Sequence, residues 1–222
     1  MISPAKCPLC YSALPQNFSN ANNKIYYRCD LCKLIFLDKK FFLSSEEENL
    51  RYQSHNNDTG DERYIEHLSK LTDRLIPLLK PGDTGLDYGS GAGKPISFIL
   101  GKSGYKVSDY DPFFYNDRDL LERKYDFITC TETAEHFHYP AKEFDLLTTL
   151  LNPGGIFAIM TNLYSGEIDF DNWWYHRDPT HVSFFSVDTF QWLSNKYGLE
   201  IILTDPADNV IFLRRISHAF QV

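Results

Sequence analysis

Thr84-Gly85-Leu86-Asp87-Tyr88 has the pattern of a short strand, and it runs without a break into Gly89-Ser90-Gly91-Ala92-Gly93. A helical pattern follows through Ile96, Ile99 and Leu100 and stops at Gly101 or Gly104. Strand, glycine turn and helix in this order commit a chain to an α/β fold. The turn falls at the carboxyl end of the strand, where glycines let a ligand approach the main chain and a helix N-terminus presents free N–H groups. An adenosine-containing ligand is expected there. A P-loop requires Gly-Lys followed by Ser or Thr, with a glycine five residues before that Gly. Here Gly93-Lys94 is followed by Pro95, and position 88 is Tyr. The dinucleotide fingerprint Gly-x-Gly-x-x-Gly requires a glycine at 94, where Lys94 stands.

Asp87-x-Gly89-x-Gly91-x-Gly93 resembles the first motif of class I S-adenosylmethionine-dependent methyltransferases. Three further segments appear in the order that family uses. Tyr105 to Asp111 is a strand ending in a carboxylate, 22 residues beyond Gly89. Tyr125 to Glu132, followed by Glu135-His136, resembles the fourth strand and its loop. Leu151 to Thr161 resembles the turn and fifth strand, and Leu199–Thr204 with Asn209–Arg215 resembles the closing antiparallel pair. The resemblance covers residues 62–216. It implies a Rossmann-like α/β methyltransferase sheet, mostly parallel with an antiparallel strand at its C-terminal end. It also implies cofactor contacts from Asp87, Gly89, Ser90, Gly91, Gly93, Asp111, Pro112, Thr131 and Glu132, with Asp111 on the ribose hydroxyls. One departure stands out. Only 13 residues separate Asp111 from Tyr125, too few for the usual helix and third strand, so the sheet is expected to be shortened there. Pro112-Phe113-Phe114-Tyr115 offers an aromatic wall for adenine or, equally, core.

Methyl transfer needs the acceptor in line with the sulfonium carbon and, for some acceptors, a base. Such groups belong on loops after strand ends. Glu135 and His136 qualify, although Glu-His is frequent here in similar enzymes with a structural role. His181 also qualifies. It follows a long aromatic segment, Phe170 to Thr180, that reads either as a lid over an acceptor pocket or as a loop packing its own rings. Residues 44–62 are polar and acidic and read as a solvated linker or a lid. Similar bacterial methyltransferases with a ribbon in front share such a segment and an Arg-Asp-Pro-Thr-His stretch. Within it, Arg51 is a candidate for the cofactor carboxylate and His55 for the acceptor.

Cys7-Pro8-Leu9-Cys10 and Cys29-Asp30-Leu31-Cys32 are two knuckles with 18 residues between them. Together they supply four thiolates, the closed tetrahedral set of structural zinc. The pattern resembles a zinc ribbon, and a rubredoxin-like iron site uses the same ligands. Four ligands leave no open position, so the ion is expected to stabilise a segment too small for a core of its own. Cys130, alone in an apolar strand, reads as a buried thiol. The division expected is therefore a ribbon over 1–43, a linker or lid over 44–62, and a methyltransferase domain over 63–222.

Charge bears on the acceptor. Residues 1–45 carry six Lys or Arg against two Asp or Glu, and the remainder sixteen against twenty-eight. An acidic body is poorly suited to a phosphate backbone, whose binding depends on cationic side chains. A small-molecule acceptor, phenolic or sugar-derived, is therefore the leading expectation. Zinc-ribbon methyltransferases that act on sugars are one parallel, though they carry a further C-terminal domain. The alternatives are an rRNA or tRNA methyltransferase gripping RNA with its basic ribbon, and a cofactor-binding protein without activity. No apolar run approaches 18 residues and no signal peptide is evident, so a cytoplasmic protein away from membranes is expected.

Overall fold

The structure, a computed structural model, describes residues 6–13, 15–53 and 60–217. Its centre is a six-stranded sheet. The strands are β4 (Thr84–Tyr88), β5 (Lys106–Tyr110), β6 (Tyr125–Thr131), β7 (Leu151–Met160), β9 (Leu199–Asp205) and β10 (Val210–Arg215). They lie in the order β5-β4-β6-β7-β10-β9. The first four are parallel, and β10 runs antiparallel to both β7 and β9. β5 is an edge. After it, Asp111 and Tyr115 bridge in a tight turn and a single 3-10 turn, Arg118–Glu122, leads into β6, so the sheet is shortened where the residue count requires.

Both faces are covered, as a parallel sheet demands. Successive strand residues point to opposite faces. Phe127, Ile156, Ala158, Met160 and Phe212 meet Leu68, Leu71 and Leu75 of α2 (Glu62–Leu75) and Ile96 and Leu100 of α3 (Pro95–Lys102). Their neighbours Ile128, Cys130, Phe157, Ile159, Ile211 and Leu213 meet α4 (Pro140–Leu150) and α5 (Val187–Tyr197) through Phe144, Leu147, Phe190 and Leu193. Cys130 is thus a buried core thiol. Gly85 is dictated by this packing, because a Cβ there would lie 2.1 Å from the Phe127 ring.

The N-terminal ribbon is β1 (Gln16–Ser19), β2 (Tyr26–Arg28) and β3 (Ile35–Leu37), all antiparallel. A fourth strand, β8 (Ser183–Phe184), pairs with β3 although it comes from the segment between β7 and α5. The aromatic segment before β8 is no lid. Phe170, Trp173, Tyr175 and Phe184 are buried against Tyr26, Ile35 and Leu37 of the ribbon, and Trp174 alone of these rings faces solvent. Ring burial decides this outcome, since the ribbon's inner face needs an apolar partner and these rings supply it. Residues 1–43, too short for a core of their own, share one with this segment.

Residues 45–53 are likewise no featureless linker; they form α1 (Ser45–Gln53). Ser44 and Glu47 build a reciprocal cap, with Glu47 N–H on Ser44 Oγ at 3.3 Å and Ser44 N–H on the Glu47 carboxylate at 2.8 Å. Glu46, Glu47 and Glu48 fill the first turn, where the helix dipole favours negative charge. His55 lies outside the described residues. Among the described residues, no helix is long and apolar enough to cross a membrane.

Candidate active site

The carboxyl ends of β4, β5 and β6 open into one cleft with two lobes. The larger, about 340 Å³, is lined by Gly89, Gly91, Asp111, Pro112, Phe113 and Phe114, with Tyr52 of α1 and His138 at its outer wall. The smaller, about 230 Å³, is lined by Ser90, Thr131, Glu135 and His181, with Tyr64 of α2 and Pro95 of α3. Gly89, Gly91, Glu132 and His136 border both lobes.

The glycine turn is built for close approach. Gly89 has φ +79°, and a Cβ on it would lie 2.3 Å from Thr133. The N–H groups of Gly89 and Ser90 bond the Tyr110 carbonyl, tying the turn to the end of β5. Asp111 sits directly after that strand. One carboxylate oxygen accepts from Gly91 N–H at 3.0 Å, and the other accepts from Phe113 and Phe114 N–H at 2.9 and 3.2 Å. Phe113 and Phe114 line the larger lobe, and Phe113 packs against Tyr52. Lys94 stands over the Tyr115 ring and pairs with Asp109, which also accepts from Ser97.

Not every expected residue reaches the cleft. Asp87 lies below the turn, 1% exposed, with one oxygen on the Thr129 hydroxyl at 2.7 Å and the other without a partner. Burial, with Asp109 and Asp111 nearby and only Thr129 opposing, raises its carboxyl to about 7. Gly93 lines neither lobe. Arg51 lines neither lobe as well, and its guanidinium pairs with Asp178 at 2.7 Å. Burial acts to raise the Asp178 carboxyl, but bonds from Arg51 and Thr180 hold it well below the usual range. Asp178 in turn accepts from the Thr180 N–H and hydroxyl at 3.0 and 2.6 Å. Arg51 therefore fastens the turn that carries His181.

The three candidate catalytic groups do converge. His136 and His181 lie edge to face, 4.8 Å between ring centres, and Glu135 sits beside them with no exposed surface. His136 donates from Nδ1 to the Thr180 carbonyl at 3.1 Å, and His181 from Nδ1 to the Tyr175 carbonyl at 2.7 Å. Glu135 accepts from the Thr161 hydroxyl at 2.8 Å. Its second oxygen has no hydrogen-bond partner. Burial, then Glu132, raises the Glu135 carboxyl, while burial lowers His181 to about 4 and leaves its ring neutral near pH 7. Glu132, at φ +48°, pairs with His67 at 3.3 Å. Tyr52 and Thr161 were not foreseen as site residues. Thr161 directly follows β7, and its hydroxyl is placed by Tyr175 at 3.1 Å, a partner that strand periodicity does not reveal.

On the ribbon, the Cys7 and Cys32 sulfurs lie 3.5 Å apart and those of Cys10 and Cys29 3.3 Å apart, with all four within 4.8 Å of one another. None of them forms a disulfide.

Residues 61–204 match the family described as methyltransferase domain, well over half of the chain. The chain belongs to that methyltransferase family. Solved structures agree on the fold at low identity. A 1,6-didemethyltoxoflavin-N1-methyltransferase of Burkholderia thailandensis, bound to 1,6-didemethyltoxoflavin and S-adenosylhomocysteine, matches with a TM-score of 0.54 at 15% identity. That match covers 92% of this methyltransferase and 100% of the other chain. A SAM-dependent methyltransferase of Methanosarcina mazei matches with a TM-score of 0.51 at 15% identity, over 65% of this chain and 98% of that one. An O-methyltransferase family protein of Burkholderia thailandensis gives a TM-score of 0.51 at 12% identity. There the alignment takes in 77% of this methyltransferase but spans only 63% of the other chain. No curated protein matches the sequence.

Proposed function

We propose that this methyltransferase moves a methyl group from S-adenosylmethionine to a small hydroxylated acceptor, phenolic or sugar-derived. The observation that carries the reading is the tight glycine turn at Gly89–Gly91, backed by Asp111 at the neighbouring strand end and facing a cleft with a second lobe. S-adenosylmethionine supplies an electrophilic methyl: the acceptor's lone pair forms the new bond as the carbon–sulfur pair returns to sulfur and the acceptor proton leaves. The chain's own residues bind and orient. In this reading Asp111 accepts the ribose hydroxyls, Pro112 and Phe113 face the adenine, and Gly89, Ser90 and Gly91 approach the amino-acid end. Thr131 and Glu132 close the turn opposite, with Glu132 able to exchange His67 for an ammonium. Glu135, His136 and His181 receive the acceptor in the smaller lobe, where buried walls exclude water.

The ribbon belongs to the same reading: residues 1–43 hold one structural zinc through Cys7, Cys10, Cys29 and Cys32, residues 44–62 connect, and residues 63–222 carry the reaction. The four sulfurs fit such an ion, since zinc–sulfur bonds of about 2.3 Å place tetrahedral thiolates roughly 3.8 Å apart.

Calorimetry with S-adenosylmethionine tests the cofactor assignment. Asp111→Asn keeps one carbonyl oxygen for the backbone donors but removes the charge; affinity is expected to fall roughly ten- to a hundredfold, as lost charge-assisted bonds predict. Undiminished affinity would remove the ribose assignment. Labelled methyl recovered in RNA and in no small-molecule fraction would overturn the acceptor class.

A further inference from the structure

We infer that Glu135, His136 and His181 form a site for a divalent transition-metal cation, of the Mn2+ or Co2+ kind, at the acceptor end of the cleft. The purpose assigned to the ion rests on the methyl-transfer reading; the observations for the site are separate from it. The three residues each offer one ligand atom, and these atoms lie within 4.8 Å of one another. His136 is partly buried, its ring held between Tyr52 and His181.

Three features separate this cluster from a chance meeting of polar groups. Glu135 is wholly buried, one carboxylate oxygen is pinned by Thr161, and the other has no hydrogen-bond partner. A buried carboxylate oxygen without a donor is strongly disfavoured unless a cation satisfies it. Second, both imidazoles spend Nδ1–H on main-chain carbonyls, those of Thr180 and Tyr175. That fixes the tautomer of each ring and leaves its Nε2 as a lone-pair donor, the orientation in which histidines bind metals. Third, all three residues line the same lobe of the cleft, so an ion held there keeps coordination positions open toward a bound molecule.

Two imidazoles and one carboxylate suit a first-row divalent ion better than Mg2+ or Ca2+, which favour all-oxygen shells. A cation with open positions selects an acceptor that presents a hydroxyl. It lowers the cost of losing the hydroxyl proton to solvent and holds the oxygen against the methyl donor. The oxygen lone pair then takes the methyl carbon, and the carbon–sulfur pair stays on sulfur.

Electron paramagnetic resonance titration of the full chain with Mn2+ tests the site, because Mn2+ is a poor match for the ribbon's thiolates. One tightly bound Mn2+ per chain is expected. His181→Gln and His136→Gln should each weaken it at least tenfold while the circular dichroism spectrum is unchanged. No bound Mn2+, or binding by both variants as tight as that of the parent chain, overturns the site. Should a histidine variant lose its fold, Thr161→Val carries the test: all three ligands remain, a severalfold loss supports the site, and unchanged binding counts against it. Calorimetry with S-adenosylhomocysteine on the same sample separates the two readings. Cofactor bound without Mn2+ overturns only the cation site, and no cofactor bound overturns the methyl-transfer reading whatever the Mn2+ result.

Discussion

At the scale of single residues, two aspartates 24 positions apart show how local donors divide one residue type into two roles. Asp111, 7% exposed, lines the cleft and has both oxygens on main-chain N–H groups. Asp87 lies under the same turn with one bond to Thr129 and one oxygen unpaired, and its carboxyl is raised to about 7. A carboxyl raised on folding favours the folded state most below its unfolded value near 3.8. That contribution is lost as pH rises toward about 7. Asp87→Asn carries no such charge. Its stability relative to the parent chain is therefore expected to rise between about pH 4 and pH 7 and level off above, by up to about 4 kcal/mol. Chemical denaturation of both chains at a series of pH values checks this, and a pH-independent difference would show that Asp87 is not the group responsible. Both aspartates belong to patterns visible in the sequence, but only the donors that each meets in the fold tell them apart.

Among the elements, α1 illustrates what local signals can and cannot say. The Ser44-x-x-Glu47 cap and the acidic first turn are present in the sequence and are enough to start a helix after Ser44. Its partners are not written there. Glu48 accepts from His138 at 2.8 Å, Tyr52 packs edge-on against His136, and Arg51 grips Asp178. The sequence alone directs Arg51 toward the cofactor carboxylate, whereas the fold directs it 127 residues along the chain to the turn before His181. Arg51→Ala is expected to leave S-adenosylmethionine affinity within about twofold. Its stability cost should be no more than about 1 kcal/mol, given the half-exposed guanidinium, or roughly 2–4 °C in melting temperature. Calorimetry beside a thermal melt measures both, and a tenfold loss of affinity would return Arg51 to the cofactor.

Over the whole molecule, the ribbon and the catalytic body are one packed unit joined twice. β8 extends the ribbon sheet from within the body, and Cys7, Leu9, Cys29, Cys32, Leu34 and Phe36 share a core with Phe137, Phe144 and Phe185. Removing the ion proposed for the four thiolates is therefore expected to loosen more than residues 1–43. Hydrogen exchange after chelation should show lost protection over 163–185 as well as over the ribbon, with β4, β6 and β7 still protected. Loss confined to residues 1–43 would make the ribbon an independent module. Sequence alone determined the glycine turn, the succession of four motifs along the chain, the shortened edge after Asp111 and the two cysteine knuckles. Each depends on residues close together in the chain, where spacing and backbone chemistry act directly. Only the tertiary structure decided that the aromatic segment is core rather than lid, that Arg51 serves Asp178, and that Glu135, His136 and His181 meet. Those outcomes depend on which distant surfaces must be buried against each other, and no periodicity within one segment records its partner.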